Sequence, residues 1–248
     1  MKKNESGFLM LKSKHKIVFT GGSGRFGRVL QESNFDYKTL FPNKRELDIT
    51  SLKSIEKYLK KVKPKILVHM AGLSRPMKIH DQNPIKSINL NISGTANITM
   101  ACAKFNVKLI YFSTLYVYPC KKGNYTEKDA LLPFNNYGWS KLGGETSVHM
   151  YKNSLILRIC MTEKPFVHKK AFADVKTNFI FHDEVVPIFK KLLNKKGVIN
   201  LGGPVKTIFD FAKKNKKDVK KIYAKKTFKG KFPLNPSMSL KKMNKLLK

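Results

Sequence analysis

Lys16-Ile17-Val18-Phe19-Thr20-Gly21-Gly22-Ser23-Gly24-Arg25-Phe26-Gly27 decides how the rest of the chain is read. A short apolar run ends on a glycine-rich turn, and residues 26–31 open a helix. The glycines at 21, 24 and 27 follow the spacing G-x-x-G-x-x-G. Gly21 would make the tight turn, Gly24 would let a pyrophosphate approach the backbone, and Gly27 would let the helix pack on the strand. The helix start then faces a doubly charged group. A glycine pattern alone is weak; the strand-turn-helix context separates it from an ordinary tight turn. Gly21, Ser23, Gly24, Arg25, Phe26 and Gly27 are therefore the expected cofactor contacts of a dinucleotide site.

Outward from the loop, strand-like and helix-like segments alternate. Residues 37–41 read as a second strand. Residues 51–61 read as a helix, with apolar side chains at Leu52, Ile55, Tyr58 and Leu59 and, just beyond, Val62, a helical spacing stopped by Pro64. Strands follow at 65–70, 108–113 and 154–159, with helices at 88–105 and 137–151. Such alternation predicts an α/β fold, a Rossmann-type doubly wound parallel sheet with helices on both faces. Beyond Arg158 the pattern weakens to a helix at 183–193, a strand at 198–201 closed by Gly202-Gly203-Pro204, and a lysine-dense end. That end has 15 basic and 2 acidic residues from Lys206 on, yet Ile208, Phe209, Phe211 and Ala212 keep a helical spacing. The expected division is an NADP-binding Rossmann domain at 14–160 and a small C-terminal substrate lobe at 161–248, with part of its helices packing back on the first domain. There are no internal repeats.

An NAD-specific site usually has Asp or Glu at the end of the second strand, holding the ribose 2′-hydroxyl. Here the strand runs into Pro42-Asn43-Lys44-Arg45, with no acid before Glu46. Lys44 and Arg45 suit a 2′-phosphate, so NADP(H) is expected, with NAD(H) as the alternative; a pair of exposed loop cations is the plainer reading.

Tyr137-Gly138-Trp139-Ser140-Lys141 places a tyrosine and a lysine on one helix face. A nearby ammonium eases ionisation of a phenol, which suits Tyr137 to donate a proton to a carbonyl under reduction. Lys141 would also hold the nicotinamide ribose. A lone Y-x-x-x-K is more often a surface coincidence. Here Ser113-Thr114 also ends a strand, where ligands lie in such folds, and its hydroxyl would orient the carbonyl.

The composition of 248 residues, 42% of them hydrophobic, can bury a full core and excludes a disordered chain. The formal charge of +34 invites a nucleic-acid reading. Only Arg25, Arg28, Arg45, Arg75 and Arg158 are arginine, however, and base or phosphate readers favour Arg forks. The lysines are also scattered, so no nucleic-acid partner is expected. Cys102, Cys120 and Cys160 lie too far apart for a zinc or redox motif; two of them lie in apolar runs and read as buried free thiols, and no metal is expected. Residues 1–13 read as a polar extension whose Phe8-Leu9-Met10-Leu11 is too short for a signal segment, and no run reaches membrane length. A cytoplasmic protein with no membrane partner is the expectation.

The loop at 20–27, Leu47-Asp48-Ile49-Thr50, His69-Met70-Ala71-Gly72, Asn91-Ile92-Ser93-Gly94-Thr95, the S-T-x-Y-V-Y stretch at 113–118 and Y-G-W-S-K-L-G-G-E at 137–145 follow one another in an order that resembles the extended short-chain dehydrogenases. Within that group the chain is most similar to the dTDP-4-dehydrorhamnose reductase and sugar-nucleotide-binding family. The resemblance implies Thr114, Tyr137 and Lys141 as catalytic residues, Asp48 and Ile49 beside the adenine, Ala71 and Gly72 along the diphosphate and ribose, and Asn91 supporting the site. It implies an NADPH-dependent reduction of a 4-keto nucleotide-activated deoxysugar, a nucleotide-sugar substrate and a homodimer. Two alternatives are a nucleotide-sugar epimerase and a non-catalytic NADP-binding subunit resembling the regulatory subunit of methionine adenosyltransferase. Leu115 stands where the reductases usually carry Asp, and His69 where Asn or Ala is usual; His69 reads as a packed strand residue. Leu115 and Tyr116 also lack the acid-base pair that a dehydratase needs. Past Arg158 the sugar contacts do not transfer; Lys164, Lys169 and Lys170 are the loose candidates to face a diphosphate.

Overall fold

Strands covered by helices on both faces read as unbroken apolar runs rather than alternations. The computed structural model describes residues 13–248 and shows such a sheet. The 1–12 part of the polar extension, with its Phe8–Leu11 stretch, lies outside the described residues. In chain order the elements are β1 (Ser13–Thr20), α1 (Arg25–Gln31), β2 (Tyr37–Leu40), α2 (Leu52–Val62), β3 (Ile66–His69), α3 (Ile79–Gln82) and α4 (Pro84–Ser87). A π-helical turn (Ile88–Ser93) leads into α5 (Gly94–Lys104), β4 (Lys108–Thr114), α6 (Asn136–His149) and β5 (Ser154–Ile159). Beyond these lie β6 (Met161–Thr162), β7 (Lys170–Phe172), β8 (Lys176–Thr177), β9 (Ile180–Phe181), α7 (His182–Leu192) and β10 (Gly197–Leu201). The chain ends through β11 (Lys206–Thr207), α8 (Ile208–Lys213), β12 (Lys220–Ile222), α9 (Ala224–Thr227) and α10 (Lys241–Leu247).

Six strands form one parallel sheet in the order β10-β5-β4-β3-β1-β2. Every residue of β3, β4 and β5 is buried. Because strand side chains alternate, Ile17, Phe19, Ile66, Val68, Ile110 and Phe112 meet Leu30, Phe189 and Leu192 on one face. Val18, Leu67, Leu109 and Tyr111 meet Ile55, Leu59, Ile98 and Cys102 on the other. The strand order reverses at β1, which lies between β2 and β3, so a crevice opens beyond their carboxyl ends, where ligands bind in open α/β sheets.

The sequence predicts one helix over 88–105; the structure divides it. Asn83 caps α4 by accepting from Lys86 N at 2.9 Å, Pro84 starts that helix, and the π-turn then delays the phase before α5. Past residue 160, β10 joins the large sheet, while α7 and Met243 of α10 belong to its core. The remaining segments form two-stranded pairs, β11 with β8, β12 with β7 and β6 with β9, around Phe166, Phe181, Phe211 and Val219. Among the described residues, no helix is long and apolar enough to cross a membrane.

Candidate active site at the carboxyl edge of the sheet

The glycine loop is shaped by close approach. Gly21 has φ +80°, and a Cβ on it would sit 2.8 Å from Ala71 N; one on Gly27 would sit 2.4 Å from Gly21 O. Thr20 Oγ1 accepts from Met70 N and Ala71 N, both at 3.2 Å, which ties the turns after β1 and β3 together. His69 is wedged between Thr20 (2.8 Å) and Thr95 (3.1 Å), and burial pushes its imidazole down to about 3. It is a neutral packing residue. Ser23, Gly24 and Arg25 are exposed, whereas the Phe26 ring packs on Phe112 at 5.4 Å, leaving only its backbone for a ligand.

Beyond β2, Asn43 Oδ1 accepts from Arg45 N at 2.8 Å and organises the turn that presents Lys44 and Arg45 to solvent. Lys44 lies 3.8 Å from Asp48. Hydrogen bonds from Thr50 N (2.9 Å) and Thr50 Oγ1 (2.7 Å) hold the Asp48 carboxyl below its usual range. Ile49 is buried in the core beneath Gly94, and its carbonyl accepts from Asn97 at 3.1 Å.

Thr114 ends β4 and Tyr137 lies in the first turn of α6, whose start is fixed by Asn135 accepting from Gly138 N at 2.7 Å. The Thr114 hydroxyl accepts from Tyr116 N at 3.3 Å and favours ionisation of the Tyr137 phenol. Burial pushes that phenol up to about 12, against the influence of the Thr114 hydroxyl and the charge of Arg75, so it is protonated at neutral pH. The Lys141 ammonium sits 4.1 Å over the ring of Tyr111 from β4, a cation–π contact. A buried ammonium held by a ring face is a donor suited to ribose hydroxyls. The glycine turn and this lysine together fit a dinucleotide.

Asn91, in the π-turn, accepts from Leu73 N at 2.7 Å and donates to Leu73 O and Ser140 Oγ, both at 2.8 Å. A Cβ on Gly72 would meet its Oδ1 at 2.7 Å. One side chain thus joins the turn after β3 to the helix that carries Tyr137 and Lys141. Two partners were missed by sequence reasoning. His80, 1% exposed, packs its ring 5.1 Å from that of Tyr137 and bonds Ser87 at 2.7 Å. Glu145, one turn beyond Lys141, forms a buried pair with Arg158 at 2.6 Å and accepts from Ser113 at 2.5 Å. The charged Arg158 within apolar β5 was the available signal for the second. Lys164 is 3.6 Å from Asp183, and Lys169 and Lys170 are exposed. Leu115 is buried in an apolar cluster, as are the free thiols Cys120 and Cys160. Among the described residues no group of side chains could hold a metal ion.

Burial pulls the Lys141 ammonium from 10.5 down to about 7, with Glu145 opposing. Between those pH values the unfolded chain holds a proton that the folded chain has lost, so this group makes stability rise with pH. Below about 7 both states are protonated and the burial penalty is fully present. Lys141→Met removes the penalty. Its stability relative to the native protein should therefore be greatest near about pH 6.5 and fall toward about pH 10. Urea unfolding of both proteins across that range tests this; a difference that does not vary with pH contradicts it.

A family model described as the RmlD substrate binding domain matches residues 15–175. Methionine adenosyltransferase 2 subunit beta of Rattus norvegicus is 28% identical over 142 residues, 54% of this chain and 42% of that protein. dTDP-4-dehydrorhamnose reductase of Mycolicibacterium smegmatis is 30% identical over 137 residues, 54% of this chain and 41% of that protein. The matched stretch thus spans less than half the length of either curated relative. Among solved structures, dTDP-4-dehydrorhamnose reductase from Bacillus anthracis in complex with NADP gives a TM-score of 0.82 at 21% identity, over 94% of this chain and 91% of that one. The UDP-Glc/GlcNAc 4-epimerase from Campylobacter jejuni gives 0.74 at 20% identity, over 94% and 92%. At these identities the likeness speaks for the fold. The family match covers well over half of the 248 residues, and the chain belongs to the RmlD substrate binding domain family.

Proposed function

We propose that the protein is an NADP(H)-dependent oxidoreductase that reduces a 4-keto nucleotide-activated deoxysugar. The observation that carries this reading is a buried, protonated Tyr137 phenol, influenced by the Thr114 hydroxyl, at the carboxyl edge of the sheet that also presents the glycine turn. A reduced nicotinamide, when bound, supplies the hydride. Thr114 orients the keto oxygen, Tyr137 gives it a proton, and Lys141 holds the ribose and, once an anionic ligand is near, returns to its charged form. Leu115 and Tyr116 offer no carboxylate pair for a dehydration. Ser23, Gly24 and Arg25 would line the pyrophosphate, Lys44 and Arg45 a 2′-phosphate, and Asp48, Ile49, Ala71 and Gly72 the remaining cofactor path. The names of the reductase and epimerase relatives support a sugar-nucleotide substrate.

A second reading is a non-catalytic NADP-binding subunit, favoured by the relatives named methionine adenosyltransferase 2 subunit beta. One measurement separates the two. Purified protein is offered keto-sugar nucleotides with NADPH and, in parallel, with NADH. Oxidation of NADPH, at lower rates with NADH, is expected. Tight NADP binding without turnover of any sugar nucleotide would favour the subunit reading.

A further inference from the structure

Two of the five arginines in this lysine-dominated chain converge on one carboxylate. Glu163 lies just past β6, where the chain leaves the large sheet for the smaller lobe. Its Oε1 is 3.0 Å from Arg25 Nη1 and 3.3 Å from Arg75 Nη1; Arg75 also reaches Oε2 at 3.4 Å. Arg25 springs from the turn after β1 and Arg75 from the loop after β3, so the three side chains tie together segments that leave β1, β3 and β6 at their carboxyl ends. The Arg75 charge also reaches Tyr137 and Cys160. Burial first, and then the two guanidiniums among the nearby charges, push the His168 imidazole down.

As a fastening, this bridge is a weak one: the arginine side chains are 49% and 36% exposed, and exposed pairs contribute little to stability. Two guanidiniums against one carboxylate leave a positive charge unmatched. The planar fork of arginine matches phosphate oxygens two at a time, which the surrounding lysines cannot do. We propose that Arg25 and Arg75 form a diphosphate clamp, and that Glu163 holds the place of the ligand's phosphate until the ligand displaces it. This rests on the crevice being the nucleotide site described above. The diphosphate is that of the dinucleotide or that of the nucleotide sugar, and the experiment distinguishes them.

The full chain is titrated calorimetrically with NADPH and, at saturating NADP, with UDP-, dTDP- and GDP-glucose. Arg75→Met should weaken binding of the clamped ligand by about tenfold or more, the loss of a charge-assisted contact. Glu163→Gln should tighten the same ligand several-fold (on the order of threefold), because the competing carboxylate is gone. Lys57→Met, an exposed charge on α2, should change neither. A Glu163 with a merely structural role would give unchanged or weaker binding when replaced. Effects on NADPH assign the clamp to the dinucleotide; effects confined to the sugar nucleotides assign it to the substrate. If the native protein and both variants bind NADPH alike, and bind the sugar nucleotides alike or not at all, the clamp is overturned while the nucleotide site stands. If the native protein binds neither class, both fall.

Discussion

Tyr137→Phe is expected to lower turnover of a keto-sugar nucleotide by about 10²–10⁴-fold, the usual contribution of a positioned acid. The substitution keeps the ring that packs on His80 and removes the proposed proton donor. Affinity for NADPH should hardly change. Thr114→Val should act mainly on turnover, because the hydroxyl orients the carbonyl and the phenol rather than holding the cofactor. Lys141→Met should weaken turnover and NADPH binding together, since it loses the donor to the ribose. Steady-state kinetics on the three variants, with folding checked by circular dichroism, gives the comparison. Near-native turnover by Tyr137→Phe would remove this tyrosine from the mechanism.

The largest effect on stability is expected at Glu145. Its side chain is fully buried and that of Arg158 is 2% exposed. Glu145 Oε1 accepts from Arg158 Nη2 at 2.6 Å and Nε at 3.0 Å, while Arg158 Nη1 donates to the Tyr118 hydroxyl at 2.7 Å, itself 2.8 Å from Asn200 Oδ1. Glu145→Gln leaves a guanidinium without its counter-charge in the interior, which costs about 3–5 kcal/mol. For a chain of this size each kcal/mol lowers Tm by about 2–4 °C. The double variant Glu145→Leu with Arg158→Met removes both charges and should recover much of the loss. A loss under about 1 kcal/mol in Glu145→Gln would mean that water reaches the pair. The network also touches the site, because Ser113, which donates to Glu145, precedes Thr114.

The sheet was legible because its signals are local. An apolar run, a glycine turn and a helix are adjacent in the chain, and β5 occupies 154–159 as its composition predicts. Tyr137 and Lys141 were legible for the same reason: four residues on a helix fix their spacing. What each touches was not, because those partners come from elsewhere. Tyr111 arrives on β4 and takes Lys141 onto its ring face; His80 arrives from a loop whose short helices α3 and α4 give no periodic pattern. The same limit hid α10. A seven-residue helix in a lysine-dense end carries little pattern of its own, and its place against the large sheet is set by contacts with α7 and β10.

The π-turn at Ile88–Ser93 gives the two ends of one helical rod different duties. An α-helix advances about 100° per residue, so a single stretch of it can serve only one direction along a given stripe. The widened turn resets that angle midway. Within the turn, Asn91 points at Leu73 and Ser140 and ties the loop after β3 to α6; downstream, Ile98, Ala101 and Cys102 point at the sheet. The angular offset between site and core is stored as one extra backbone residue, so a frame shift of one position in this turn would trade alignment at one end for alignment at the other.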